Sequence, residues 1–384
     1  MNICIDTPHR DRLGLEVFDY LVGYWQYVTG YQQTPVITFG SPGPGKYNIL
    51  FLTTAIDPVN EDQGMSTVQY PDNLDQYDLI TLDNADEPFG VGDRMLYHIL
   101  DTVPHARLLC NSILLDTHPY KNRIINTSVA WTHHRRYYIE SVFPQSYELH
   151  DIYKPTTGMI YINGQNRSVR EFLTRVLQEH VPDMPHHNDI HNGIVDSIGQ
   201  YFHETVEDTK FREWANDTYA NDIINPMPPI KRWPPLPAGV DGRYGTTFFE
   251  DRIIDSVRNN QTIVYPENIW QNNQISLTEK PLRCFINRKF PMPVGGAHAH
   301  QLFTTIGFKT AWHLLPPEHQ QFDNILDHKE RYVQQAKAIQ WLWDHPEVFK
   351  TYFAEKILID NQVRCMLISS QAGRELYNII NENT

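Results

Sequence analysis

The sequence predicts an α/β protein of two domains, each built on a largely parallel sheet. Three observations predict it. Short apolar runs that end in polar or turn residues alternate with stretches whose apolar residues recur at helical spacing. That is the pattern of strands joined by helical crossovers. The pattern starts afresh after Lys154-Pro155-Thr156-Thr157-Gly158, a linker-like run. The chain has 384 residues, long for one core and comfortable for two.

The first domain is expected over residues 1–153. It opens on the strand MNICI, which runs into Asp6, Thr7, Pro8 and His9. A helix over 11–29 follows, with Leu13, Val17, Phe18, Leu21, Val22 and Trp25 on one stripe and Gly30 as its stop. Gly40 to Gly45 is a loop by composition, and it lacks the Gly-Lys-Ser/Thr spacing of a nucleotide P-loop. Four further strands are expected, over 47–55, 78–82, 107–115 and 124–131, with a helix over 91–100. Ligands of open parallel sheets bind beyond the carboxyl ends of the strands. Asp6, Asp57, Asp83, Asp86, Glu87 and Asp116 fall there, as acids for chemistry or as ordinary turn and cap residues.

The second domain is expected over 158–345. Gly158 to Asn163 is its first strand, Gly164-Gln165-Asn166 a turn, and Ser168 to His180 a helix with the stripe Val169, Phe172, Leu173, Val176 and Leu177. Arg167 and Arg170 sit at that turn and the first helical turn, where cations oppose the helix dipole and a bound phosphate would offset them. Residues 183–245 read as irregular, ending in a proline-dense run over 226–237 that holds Lys231-Arg232-Trp233. A helix over 248–257 and a strand over 262–264 follow. The stretch from Ile275 to Trp312 reads as a Thr-Glu-Lys opening, a helix, the strand FPMPV, a Gly295-Gly296 turn and a second helix. A strand, a glycine turn and a helix start can present free N–H groups to a phosphate. Helices are expected over 323–343, 346–357 and 362–377, and those in 346–384 are expected to cross back to the first domain.

Composition narrows the class. Apolar residues make up 41% and aromatics 12%, which is a core-forming chain. No window reaches the apolar length of a membrane span, and MNICIDTPHRDR lacks the pattern of a signal peptide. The four cysteines are far apart and form no CxxC pair, which reads as reduced thiols in the cytoplasm. A net charge of −14 argues against a surface coated for nucleic acid. One local exception is the segment 107–136, where Arg107, Lys121, Arg123, Arg135 and Arg136 face Asp116 alone.

The histidines at 133, 134, 186, 187, 191, 298 and 300 look like metal ligands at first, yet none has HExxH or Cys/His spacing, so no metal is expected. His298 and His300 differ by following the Gly-Gly turn, where they could contact a bound donor. There is no GxSxG elbow, and no GxGxxG follows the first strand.

Two stretches carry a resemblance. Tyr161 to Leu177, YINGQNRSVREFLTRVL, has a strand-Asn-Gly-x-x-Arg-x-x-Arg pattern. Thr278-Glu279-Lys280 and FPMPVGGAHAHQLFTTIGFKT form the second stretch. Together they resemble a group of glycosyltransferases of large DNA phages and giant viruses, similar in the C-terminal half to fucosyltransferase-like enzymes. The resemblance covers roughly 158–345 and implies GT-B architecture, two Rossmann-like domains facing a cleft. It implies transfer of a sugar from a nucleotide-sugar donor, which is a substrate and not a cofactor. Arg167 and Arg170 would neutralise the diphosphate. Thr278 and Glu279 would meet donor hydroxyls, Lys280 would offset leaving-group charge, and Gly295, Gly296 and His298 would complete the donor site. Cationic help of that kind replaces a metal ion, so no obligatory metal is implied. Retaining relatives carry a second Glu eight residues after the first; here that residue is Asn287, which favours inversion. Inversion needs a base on the first domain, and Asp86, Asp83 and Asp6 are the candidates, with His9 behind them. The phage-like character points to a 5-hydroxymethyl pyrimidine in double-stranded DNA as acceptor, in a host cytoplasm. Arg123, Arg135, Arg136, Lys231 and Arg232 would then meet its phosphates. A glycan, a small acceptor, or a non-catalytic nucleotide- or glycan-binding module are the alternatives.

Overall fold

The computed structural model describes residues 1–7, 16–53, 73–84, 99–104, 106–110, 112–114, 116–117, 119–125, 156–163, 173, 176–177, 179–188, 259–267, 274–276 and 279–382. The chain is mixed α/β with parallel sheets and divides into two compact units. The first holds Met1–Tyr137, Asn273–Leu282 and Met366–Thr384, and the second holds Tyr138–Asn272 and Arg283–Cys365.

The first unit is built on a six-stranded sheet. Its strands are β1 (Asn2–Asp6), β2 (Val36–Phe39), β3 (Tyr47–Thr53), β4 (Leu79–Asn84), β5 (Arg107–Cys110) and β7 (Ile124–Ile125), in the order β2-β1-β3-β4-β5-β7. All neighbouring pairs are parallel. Strands buried on both faces read as continuous apolar runs, as NICID and YNILFLT do. Side chains alternate across the sheet. Ile3, Ile5, Tyr47, Ile49, Phe51 and Leu79 share one face with Phe18, Leu21 and Trp25 of helix α1 (Glu16–Val28). Cys4 points to the other face, where its thiol reaches the Gly40 and Ser41 carbonyl oxygens at 3.4 and 3.3 Å. The loop from Gly40 to Gly45 therefore crosses β1 without a helix. Asn48 pins it, accepting from the Gly43 N–H at 3.0 Å and donating to the Gly43 carbonyl at 3.2 Å.

Some expectations change here. β2 falls in a stretch with no strand expected. The run over 107–115 is two strands, because β6 (Ser112–Leu114) leaves the sheet and pairs antiparallel with β11 (Gln274–Ser276).

The second unit is built on a four-stranded parallel sheet, order β12-β10-β8-β9. Its strands are β8 (Met159–Asn163), β9 (His186–Asn188), β10 (Thr262–Pro266) and β12 (Phe290–Val294). β9 lies within the span read as irregular, since its three residues are too short to show a period. Met159, Tyr161, Val264, Phe290 and Met292 pack on Leu173, Val176 and Leu177 and on Tyr332, Ala336 and Ile339. Ile160, Ile263 and Tyr265 face the other way, with Cys284. Pro291 and Pro293 sit in β12 without loss because it is an edge strand. Phe290 N–H donates inward to the Gln261 carbonyl at 2.9 Å, so the two prolines fall where an N–H would face outward.

Between residues 279 and 344 the helices are α2 (Glu279–Ile286), α3 (Ala299–Thr305) and α5 (His328–Asp344), with a single turn α4 (Pro317–Gln320) between the last two. The Asp327 side chain caps α5, accepting from the Glu330 N–H at 2.8 Å. The two final helices expected over 346–357 and 362–377 are instead a short 3-10 stretch (Pro346–Lys350) and one continuous helix, α6 (Tyr352–Glu382). Asp360 and Asn361 do not break it. Asp360 pairs with Lys356 at 2.7 Å, and the Asn361 amide is spent on the Lys309 N–H and carbonyl at 3.0 and 2.7 Å instead of on its own backbone. Residues up to Cys365 belong to the second unit and those from Met366 to the first, where Leu376 and Ile380 join the core of Ile3 and Ile5.

Within the first unit α6 approaches α1 at Gly373. A Cβ there would lie 2.3 Å from the Tyr20 carbonyl oxygen. Gly373→Ala is expected to destabilise the protein by about 1–3 kcal/mol through overpacking. Gly23→Ala, in the same interface helix but with nothing within 4 Å of its Cβ, is expected to stabilise by about 0.5–1 kcal/mol. Denaturant titration of the two variants checks the opposite signs.

Candidate functional site

In an open parallel sheet the crevice forms where consecutive strands leave a central strand in opposite directions. Both units have such a point. In the first, β1 is followed by β2 on one side and β3 on the other; in the second, β8 is followed by β9 on one side and β10 on the other. Each sheet thus begins with the same strand order, and each has one carboxyl edge at which a ligand can be met.

Asp6 is the last residue of β1 and lies in register with Leu50 of β3, at the switch point of the first sheet. Tyr77 Oη donates to Asp6 Oδ2 at 2.5 Å. Tyr77 is buried, and its phenol is pushed well above its ordinary value by burial first and by the Asp6 hydrogen bond second. It therefore stays a proton donor to Asp6, fixing one carboxylate oxygen and leaving the other to accept. The Gly40 N–H donates to the Ile5 carbonyl at 3.0 Å, so the crossing loop starts beside Asp6. Asp83 is the next-to-last residue of β4, opposite Thr53 and Leu109. Asp86 and His9 lie outside the described residues.

Arg123 is used by the chain itself. Its guanidinium donates to the carbonyls of Leu100, Val103 and Ala106, the Ala106 bonds at 3.2 and 3.0 Å. It holds carbonyls at the end of a helix, at the amino end of β7. Arg135, Arg136, Lys231 and Arg232 lie outside the described residues.

In the second unit the strand ends bring Asn163 of β8, Glu267 after β10 and the Gly295-Gly296 turn after β12 to one edge. The Glu267 N–H donates to the Val294 carbonyl at 3.0 Å, and Glu267 is buried. Gly295 adopts φ 142°, open to glycine, and both its polar groups are engaged. Its N–H donates to Gln335 Oε1 at 3.2 Å, and its carbonyl accepts from Arg331 Nε at 2.7 Å. His298 is left-handed, φ 61°, and its N–H donates to the Asp323 carbonyl at 2.5 Å.

The first amides of α3 meet an anion, and that anion is a carboxylate of the chain. Asp323 Oδ1 accepts from the His300 N–H at 3.1 Å and Oδ2 from the Gln301 N–H at 3.0 Å. Burial pushes Asp323 up to about 6, against the pull of those amides and of Arg331. Sequence reasoning missed Asp323 because the cap comes from more than twenty positions downstream, beyond any local capping pattern. His300 and His313 are also structural. His300 Nδ1 and Thr310 Oγ1 are 2.6 Å apart, and His313 Nδ1 accepts from the Thr310 N–H at 3.1 Å.

The expected donor residues divide. Gly295, Gly296 and His298 belong to the second unit, whereas Glu279 and Lys280 open α2 in the first. Arg167, Arg170 and Thr278 lie outside the described residues. Among the described residues no group of three His, Cys, Asp or Glu could hold a metal ion, and no helix is long and apolar enough to cross a membrane.

Set against known proteins, the chain matches no protein-family model, no curated protein sequence and no solved structure.

One buried and two half-buried histidines give the second unit a pH dependence. Burial lowers His300 to about 3, and His313 and His328 to about 4, from an ordinary 6.5. Each favours the folded state fully above 6.5, and that contribution is lost as pH falls toward the folded value. Asp323, raised from 3.8, acts oppositely between about 6 and 3.8. Three groups outweigh one, so the thermal midpoint is expected to fall by several degrees from neutral pH to about pH 5. Scanning calorimetry across that range checks it; a midpoint that rises on acidification would put Asp323 in control.

Proposed function

We propose that the chain is a nucleotide-sugar-dependent glycosyltransferase of GT-B architecture, with one unit for the donor and one for the acceptor. One observation carries the reading. The switch point of the second sheet lies between β8 and β10, and the sequence leaving β8 there runs Gly164, Arg167, Arg170. Two arginines at that point in the chain are suited to a diphosphate, which takes paired N–H donors from a planar guanidinium. The α3 amides are already held by Asp323, so in this reading the diphosphate charge rests on Arg167 and Arg170.

In the transfer, the acceptor hydroxyl oxygen bonds to the anomeric carbon as the bond to the diphosphate oxygen breaks. Asp6 takes the hydroxyl proton through its free oxygen, and Tyr77 keeps the carboxylate oriented. The cationic side chains receive the charge on the departing nucleoside diphosphate. The configuration at the anomeric carbon inverts. A 5-hydroxymethyl pyrimidine in DNA is one acceptor of this reading. The engagement of Arg123 with three backbone carbonyls removes one cation from the basic segment, and this favours a glycan or small-molecule hydroxyl.

A thermal-shift screen of sugar nucleotides, followed by assay of slow donor hydrolysis, tests the proposal. One sugar nucleotide is expected to raise the midpoint and to be turned over. Asp6→Asn is expected to cut turnover by about 10²–10⁴-fold while leaving the donor shift intact. Arg167→Ala with Arg170→Ala is expected to abolish the shift. A shift without turnover would make the protein a binding module, and no shift with any sugar nucleotide would sink the reading. Duplex DNA binding that weakens steeply with salt would select the DNA acceptor; a flat response would select the others.

A further inference from the structure

From Tyr20 to Gly45 the chain has no Asp, Glu, Lys, Arg or His, the longest such stretch in a chain of net charge −14. This stretch builds the last turns of α1, the turn after it, the edge strand β2 and the crossing loop. Several of its large apolar side chains reach solvent. Tyr27 is 73% exposed, Tyr31 76%, Val36 55% and Phe39 50%, with Val28 and Met1 exposed beside them.

β2 ends the sheet, paired only with β1 among the described residues. Val36 N–H donates to the Met1 carbonyl and Gly40 N–H to the Ile5 carbonyl, both at 3.0 Å. The alternation of a parallel pair then turns the N–H and C=O groups of Ile37 and Phe39 outward. Sheet edges are usually protected by a charge, a proline or a bulge. β12, an edge of the other sheet, follows that rule with Pro291 and Pro293 at its outward N–H positions. β2, reading VITF, has neither a charge nor a proline.

We propose that β2 pairs with β2 of a second copy of this chain, antiparallel about a two-fold axis at Thr38. Ile37 of one copy then stands opposite Phe39 of the other, and each such pair exchanges both N–H···O bonds, four in all. The same patch meets itself, which a two-fold interface requires. The occupant follows from charge. Two copies of an acidic chain repel wherever their carboxylates approach, and this face is the stretch from which charge is absent. Tyr27, Tyr31 and Val36 would flank the paired strands with aromatic and aliphatic surface, the composition of interface cores.

Sedimentation velocity of the full chain over a micromolar concentration series tests this. The wild type is expected to associate to a dimer. Val36→Lys with Phe39→Lys adds charge at two exposed side chains and is expected to weaken association by at least about tenfold. Phe39→Pro, which removes one outward N–H and no bond to β1, is expected to weaken it independently. Leu326→Lys, at an exposed leucine of the second unit, is expected to leave association unchanged. Far-UV circular dichroism and thermal midpoints close to wild type show that the variants are folded. A wild type that stays monomeric throughout, or folded β2 variants that associate as tightly as wild type, would overturn the proposal.

Discussion

A parallel sheet must be covered on both faces, and most of this structure follows from how that cover is found. In the first unit, α1 shields one face of β1 and β3 through Phe18, Leu21 and Trp25, and one helix is too narrow for the job. The remainder comes from the far end of the chain, where Leu376 and Ile380 of α6 pack on the same strands. Gly373 marks how close that helix comes, since even a methyl group would strike the Tyr20 carbonyl. On the opposite face, the loop from Gly40 to Gly45 lies against Cys4. A helix between β2 and β3 was therefore unnecessary, and the short connection leaves β2 at the edge, paired only with β1 among the described residues.

The same demand shapes the second unit. Its strands alternate between a large cluster around Tyr161, Val264 and Met292 and a smaller one around Ile160, Ile263 and Tyr265. Covering a sheet this completely leaves the strand ends as the places for polar chemistry. There the chain has satisfied itself at β12. Arg331 and Gln335 take both polar groups of Gly295, and Asp323 takes the first amides of α3. A glycine turn leading into a helix is an anion site in physical terms, and the chain's own carboxylate fills it. In the proposed reading, chemistry with an external ligand falls to the ends of β8 and β10 in this unit and to Asp6 with Tyr77 in the other.

Much of the fold could be read from local patterns. The strands β1, β3, β4, β8 and β12 and the helices α1 and α5 have periods long enough to declare themselves. β2, β9 and β11 do not, because three or four residues with no clear alternation carry too little signal and exist only through their neighbours. The unbroken α6 was hidden for a related reason. Asp360 and Asn361 look like a break until their side chains are seen to be committed to Lys356 and Lys309. At the candidate site, the position of Asp6 was legible because a carboxylate ended an apolar strand. Its partner Tyr77 was not, since a hydrogen bond across 71 positions leaves no trace in local spacing.

By itself the sequence determined the class: alternating short apolar runs and helical stripes, a restart near residue 158, and acids placed where strands stop. These are local properties, set by backbone periodicity and turn chemistry. Tertiary structure alone decided the strand order, and with it the two switch points, because order depends on which side of β1 and β8 the chain returns. It also decided which polar groups remain for function. Arg123 and Asp323 carry the charges that phosphate and metal sites use, yet both are spent on backbone carbonyls and amides brought to them by folding. A charge is available to a ligand only after the buried backbone has taken what it needs, and that accounting is done in three dimensions.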